Sequence, residues 1–265
     1  MANMVVRDMQ ADDEYFVATC SHIHDSNEID ACARERRRQF ELMRAQGALF
    51  KVATAGGKHA GFAYGVPIEH SSWGPLGQSL MVIPCLYVLQ DSTSQGAGKA
   101  LLASIEQEAQ AARFQGTVVV AYRDIPGAEW FMPASFFKLL GYTPVGDRGR
   151  ETLLWKPFSP EAVPPHFLQP HFVFEPIDGV VVVDLFWNVF CLTSVMEAHR
   201  VRAVCAEFED QVVLREFQAE DRDVLLQHQI ARGIYINGKE IGWGYEAPRD
   251  GIRQAIEQAL AAIDH

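Results

Sequence analysis

Apolar positions along this chain recur with two periods, and the places where the period switches mark its elements. Val5 and Val6 give Met4–Arg7 a β-branched character that predicts a short strand. Helical spacing follows across roughly Asp12–Gln46, including a long helix from about Glu28 to Gln46. Strands are expected near Leu49–Thr54, His59–Val66 and Leu80–Leu89. Leu101, Leu102, Ile105, Ala109 and Ala112 then repeat at helical spacing, so a helix runs to about Phe114, before a buried strand at Thr117–Ala121. A helix near Ala134–Leu140 stops at Gly141, a residue suited to the position after a helix end. Strands near Thr143–Gly146 and Thr152–Trp155 complete this half. The second half reads strand (Val180–Phe186), helix (about Leu192–Phe208), strand (Val212–Phe217) and helix (Ala219–Ala231). Two strands (Gly233–Asn237, Glu240–Trp243) and a helix (Arg249–Ile263) end it.

This order predicts an α/β protein with two sheets, and a proline-rich stretch separates them. Pro157, Pro160, Pro164, Pro165, Pro170 and Pro176 suit a stiff connector. The expected division is residues 1–157, a linker at 158–178, and residues 179–265. At 265 residues the chain is long enough for two cores. Its net charge of −11 argues against a nucleic-acid surface, which needs concentrated positive charge. The basic run Arg34, Arg36, Arg37, Arg38 reads as a solvated helix face. Met1–Gln10 lacks a charged start followed by an apolar stretch, so no secretory leader is expected. The most apolar segment, Val180–Phe190, is too short to span a bilayer and contains Asp184. Cysteines 20, 32, 85, 191 and 205 are odd in number and include no C-x-x-C pair, so reduced thiols and a cytoplasmic location are expected.

Between the apolar run Leu80–Leu89 and the following helix lies Gln90-Asp91-Ser92-Thr93-Ser94-Gln95-Gly96-Ala97-Gly98-Lys99-Ala100. A strand, a glycine-bearing loop and a helix N-terminus make an anion site, because the first helical N–H groups lack partners and lie at the positive end of the dipole. A P-loop is excluded: Ala100 follows Gly98-Lys99, and no glycine stands five residues before Gly98. A dinucleotide fingerprint fails on Leu101 at its third glycine.

The loop resembles motif A of the GNAT N-acetyltransferases, V-x-P-x-x-R-G-x-G-x-G. Gly96 and Gly98 fall on the last two glycines and Val88 on the valine, without a gap. Gln90, Thr93 and Ser94 replace the family's proline, arginine and first glycine. Pro84 interrupts a strand that otherwise looks central, which a ladder tolerates at a bulge or splayed edge, and the family's fourth and fifth strands do splay. Ala134-Ser135-Phe136-Phe137-Lys138-Leu139-Leu140-Gly141-Tyr142 is similar to its A-x-x-F-Y-x-x-x-G-F segment. Pro67-Ile68-Glu69, Trp73, Pro75 and Cys85-Leu86-Tyr87-Val88 look like a subgroup carrying P-x-E-x-x-W-x-P, then C-[LI]-W-V, often with a thioredoxin-like (YoaP-like) C-terminal extension. The resemblance covers about residues 4–157. It implies a GNAT mixed sheet with splayed central strands, and acetyl-CoA as cosubstrate held by Tyr87, Val88, Leu89, Ser94, Gln95, Gly96, Ala97, Gly98, Lys99, Ala100 and Phe136. The implied reaction is acetylation of a small-molecule amine, with no nucleic acid or membrane partner and a homodimer allowed.

Acetyl transfer needs a neutral amine, a polarised thioester carbonyl and a proton for the leaving thiolate. The N–H of Leu89 or Val88 is the expected oxyanion donor. The family's usual proton donor, a tyrosine, falls here on Phe137, which cannot donate. Glu69 is the expected general base, with His70 as its substitute. Cys85, along the cofactor strand, offers a covalent alternative, although packing explains a strand cysteine well. His22-Ile23-His24-Asp25 lacks a third ligand, so no metal is expected. The Phe137 departure also leaves room for a catalytically weak acyl-CoA-binding regulatory protein.

From Val180 onward the element order resembles a thioredoxin fold. Trp187-Asn188-Val189-Phe190-Cys191 falls where thioredoxins carry W-C-x-x-C. Either Asn188 replaces the attacking cysteine, or Cys191-Leu192-Thr193-Ser194 is a monothiol C-x-x-S. Both place Cys191 near a helix N-terminus, where the dipole lowers a thiol pKa. Arg232 stands near the expected cis-proline. A structural role is therefore favoured over a monothiol activity through Cys191.

Overall fold

Among the described residues, two sheets organise the chain, one of seven strands and one of four. The computed structural model describes residues 4–20, 22, 26–123, 131–243 and 246–263. They divide into two compact units, Met1–His24 with Arg37–Leu168, and Asp25–Arg36 with Gln169–His265.

The first unit holds β1 (Met4–Asp8), β2 (Leu49–Ala55), β3 (Lys58–Pro67), β4 (Leu80–Val88), β5 (Gly116–Tyr122), β6 (Thr143–Arg148) and β7 (Glu151–Pro157). Their order is β1-β2-β3-β4-β5-β7-β6. All neighbours are antiparallel except β4 and β5. The parallel pair requires a crossover, and α3 (Ala97–Ala111) supplies it. Leu101, Leu102, Ile105 and Ala109 of α3 are fully buried with Met81, Ile83, Val119 and Leu154. Each such large side chain contributes roughly 1.5–3 kcal/mol by leaving water. The opposite face carries Ile68, Leu80, Val82, Val118, Val120, Leu153 and Trp155. It also carries an aromatic group: Phe16 of α1 (Glu14–Thr19) meets Phe62, and Phe62 meets Tyr87. The short α4 (Ala134–Leu139) follows β5.

A charged cluster anchors α1 to this sheet. The buried Asp13 carboxylate accepts from the Arg7 guanidinium, from Gln10 N–H at 2.8 Å and from His59 Nε2 at 2.8 Å. Burial alone would push this carboxyl up, but those three donors outweigh it and hold its pKa at about 2.

The second unit holds β8 (Val181–Trp187), β9 (Val212–Gln218), β10 (Gly233–Ile236) and β11 (Lys239–Ile241) in the order β11-β10-β8-β9. β8 and β9 are parallel across α5 (Leu192–Cys205); β10 and β11 add antiparallel. α6 (Arg222–His228) and α7 (Arg249–Ile263) complete it.

Three expectations meet a different structure. The helix α2 (Asn27–Ala45) forms as expected, but residues up to Arg36 belong to the second unit. Ile29, Cys32 and Ala33 are buried there, and Arg200 pairs with Glu28 at 2.7 Å. The proline-rich stretch packs instead of hanging free: His166 and Leu76 exchange backbone bonds of 2.9 and 3.0 Å, and Phe172 packs on Phe186 and Tyr235. The basic run is not wholly solvated, because Arg36 is buried.

Two helices are shorter than their periodicity suggests. α5 gives way at Ala206 to a tighter turn containing Glu209 at φ +47. α6 starts only after Asp221, whose carboxylate caps the N–H groups of Asp223 and Val224. No described helix is long and apolar enough to cross a membrane.

Candidate active site

Proline at position 84 decides where the large sheet opens. It lies in β4 between Val82, which pairs with Val66, and Cys85, which pairs with Tyr64. Two β4 residues therefore face Gly65 alone, a bulge of the kind expected where a strand proline lacks its donor. β4 pairs with β5 only over Leu80–Val82 and Gly116–Val118. Beyond the bulge β4 continues to Val88 beside β3, while β5 continues to Tyr122 beside β7. The two central strands thus part toward their C-terminal ends.

The backbone edge facing this gap follows from register. Leu89 N–H donates to Ala60 O on β3 at 2.9 Å. Successive N–H groups of a strand point to opposite edges, so Val88 N–H points away from β3, into the gap. Of the two expected oxyanion donors, Leu89 N–H is therefore taken by β3, while Val88 N–H faces the gap.

After Leu89 the chain makes a tight turn, with Ser92 N–H donating to Leu89 O at 2.8 Å and the Thr93 hydroxyl to Gln90 O at 2.8 Å. The Gln95 amide donates to Asp91 O at 2.9 Å. Ser94 and Gly96 have φ of +60 and +87, and glycine adopts that conformation at little steric cost. Gly96 is the N-cap of α3, and no side chain caps it. The first-turn N–H groups of Ala97, Gly98 and Lys99 consequently emerge at the positive end of the helix, with the exposed Lys99 among them. A β-carbon at Gly98 would lie 3.3 Å from the Phe136 ring and 3.4 Å from Val88 Cγ2. The fold thus gathers Val88, the Ser94–Ala100 turn and Phe136 in one place.

Phe137 points elsewhere. It is fully buried in the core, 5.1 Å from the Phe136 ring and 5.5 Å from Tyr142. Tyr142 bonds Thr117 at 2.7 Å, and its burial keeps the phenol protonated far above neutrality.

Glu69 and His70, the expected base and its substitute, lie at the other end of β4 from Val88. Pro67, just before them, pairs with Met81, whereas Gly61 pairs with Val88. The step from Met81 to Val88 is roughly 23 Å of strand, at about 3.3 Å per residue. Glu69 accepts from Ser79 N–H at 2.6 Å, tying the base of the loop that precedes β4. Both residues follow the end of β3 that pairs with Met81, where β4 is still joined to β5 and just before the bulge at which the two strands part. Cys85 and Tyr87 stay near the gap but on the α1 side of β4, while Leu86 and Val88 pack toward α3. Cys85 is buried, and its sulfur lies 3.8 Å from that of Cys20 at the end of α1. Sequence spacing held no signal for this pair. Of the His22–Asp25 run, residues 23–25 lie outside the described residues.

The second unit has a comparable junction. β8 leads through Asn188–Cys191 into α5, with Cys191 as the half-buried N-cap. Asn188 is fully buried; its carbonyl accepts from Phe190 and Cys191 N–H at 3.0 and 3.2 Å, and its amide donates to Ala231 O at 2.7 Å. Val189 N–H donates to the Glu220 carboxylate. The Arg36 guanidinium donates to the carbonyls of Val189 and Phe190, each at 3.0 Å. Arg232 pairs with Glu197 at 2.6 and 2.7 Å.

Residues 12–125 match the model of the acetyltransferase (GNAT) family, so this stretch of the chain carries a GNAT acetyltransferase domain. No curated protein matches the chain. Among solved structures, a PaiA N-acetyltransferase from Thermoplasma acidophilum in complex with coenzyme A is 19% identical, covers 59% of this chain and 99% of its own, and has a TM-score of 0.43. The ribosomal-protein-S18-alanine N-acetyltransferase from Escherichia coli is 16% identical, covers 58% and 91%, and has a TM-score of 0.39. A GNAT-family acetyltransferase from Brucella melitensis in complex with acetyl-CoA is 17% identical, covers 62% and 93%, and has a TM-score of 0.39.

Proposed function

We propose that this chain, through its GNAT acetyltransferase domain, moves an acetyl group from acetyl-CoA to a small amine. The observation that carries the reading is the parting of β4 and β5 directly beside the uncapped N-terminus of α3. The pyrophosphate is held by the N–H groups of Ala97, Gly98 and Lys99, with Ser94, Gln95 and Ala100 lining the turn. The pantetheine arm runs along the β4 edge at Tyr87, Val88 and Leu89, with Phe136 covering it. Acetyl-CoA supplies an activated thioester. A gap-facing N–H of the splayed β4 edge is aimed where its carbonyl oxygen gains charge. Phe137 offers no proton, so the leaving thiolate, itself a fair leaving group, takes one from water. The second unit supports this as a thioredoxin-like scaffold, a reading its strand order favours. Its loop is held by Asn188 and Arg36, not by a dithiol. The five free thiols fit a reducing, cytoplasmic setting.

Isothermal titration with acetyl-CoA, followed by coenzyme A release across an amine panel, tests the proposal. Binding with turnover is expected, and absence of binding overturns it. The buried Phe137 favours a second reading, a regulatory protein that binds acyl-CoA. Tight binding without turnover on any amine would select that one.

A further inference from the structure

Cys20 and Cys85 stand 65 residues apart in sequence, yet their sulfurs are 3.8 Å apart in the first unit. The reaction proposed above uses neither thiol. Cys20 closes α1 at φ +52, a conformation uncommon for a residue with a side chain. It is partly exposed, while Cys85 lies buried behind it on β4, one residue past Pro84. Tyr87 lies beside both; burial, then the two thiols, hold its phenol above the usual range. Two other cysteines are poorly suited to exchange. Burial pushes the Cys32 thiol to about 11 and the Cys205 thiol to about 12.

We propose that Cys20 and Cys85 are a modification site, a dithiol that a small-molecule disulfide oxidises to an intramolecular disulfide. A disulfide bond is about 2.05 Å long, so the sulfurs must approach by roughly 1.8 Å. The exposed partner reacts first. Cys20 loses its proton to water, and its thiolate attacks one sulfur of the incoming disulfide; the other sulfur leaves as a thiolate. Cys85, deprotonated in turn, attacks the Cys20 sulfur of the mixed disulfide and expels the second small thiolate. Two electrons and two protons leave the protein, and the small disulfide departs as two thiols. The closed bond ties the end of α1 to β4 where the central strands part.

Oxidised glutathione, added to the reduced full-length chain, is the probe. The expected product is lighter by two hydrogens, yields one linked Cys20–Cys85 peptide on proteolytic mapping, and reverts with dithiothreitol. Cys20→Ser and Cys85→Ser each abolish the mass loss, and Cys191→Ser leaves it in place. The proposal is overturned if Cys20 and Cys85 stay free while Cys191 is modified, or if each carries a stable glutathione adduct. The map is read on the unaltered chain, so a poorly folding variant does not obscure the result. Neither readout requires acetyl transfer.

Discussion

Two junctions of the same local design, strand to loop to helix N-terminus, are held differently in this molecule. Between β4 and α3 the loop is closed by Gly96 at positive φ, with no side chain at the cap. Between β8 and α5 the chain itself binds the loop that precedes the helix: Asn188 accepts from Phe190 and Cys191 N–H, Glu220 from Val189 N–H, and Arg36 donates to two carbonyls, while α5, like α3, has no side-chain cap. A helix N-terminus is therefore an opportunity, not a site. What differs between the two junctions is the loop before the helix, turned by Ser94 and Gly96 at positive φ in one and tied by Asn188 and Arg36 in the other.

The largest effect that would break this contrast is expected at Arg36. Arg36→Ala leaves two buried carbonyls without donors and should lower stability by about 3 kcal/mol, measured by urea unfolding. A loss under about 1 kcal/mol would mean that the second junction is not held as described. At the first junction, Gly98→Val places methyl groups against Phe136 and Val88. Affinity for acetyl-CoA should drop about 100-fold, or about 2.7 kcal/mol, by titration calorimetry. Unchanged affinity would detach the ligand from this loop.

Acid should separate the first unit's scaffold from its loop. The folded Asp13 pKa, about 2, is below its unfolded value. Its contribution is therefore present above about pH 4 and is lost as pH falls toward 2, amounting to about 2 kcal/mol. Unfolding curves from pH 5 to pH 2 should show this loss, and Asp13→Asn should flatten it. The smallest effect is expected at Glu69. Glu69→Gln should change kcat/KM by less than about threefold, or about 0.65 kcal/mol. A hundredfold fall would return the general base to the closed end of the sheet.

Local chemistry was legible from the sequence, and long-range register was not. The helical spacing of Leu101, Leu102 and Ile105 marks α3, and Pro84 marks a bulge because a proline cannot complete a central ladder. Those signals lie within a few residues of their consequences. From the sequence, Glu69 is seen only to follow β3. Only the pairing of Pro67 with Met81 reveals which end of the sheet it occupies. The Cys20–Cys85 contact depends on how α1 lies on β4, and no spacing encodes it. Arg36 looked like one member of a solvated basic run. Its burial depends on carbonyls 153 and 154 residues later.

That last separation has a consequence for how the polypeptide is born. The segment ending at Arg36 leaves the ribosome long before its partners at Val189 and Phe190 exist. At roughly 5–20 residues per second, it waits on the order of ten to thirty seconds. The second unit cannot assemble as a late, self-contained tail, and a fragment starting at Gln169 would lack the guanidinium that closes its loop. Synthesis of the intervening sheet comes first, and the final closure joins the earliest and latest parts of the chain.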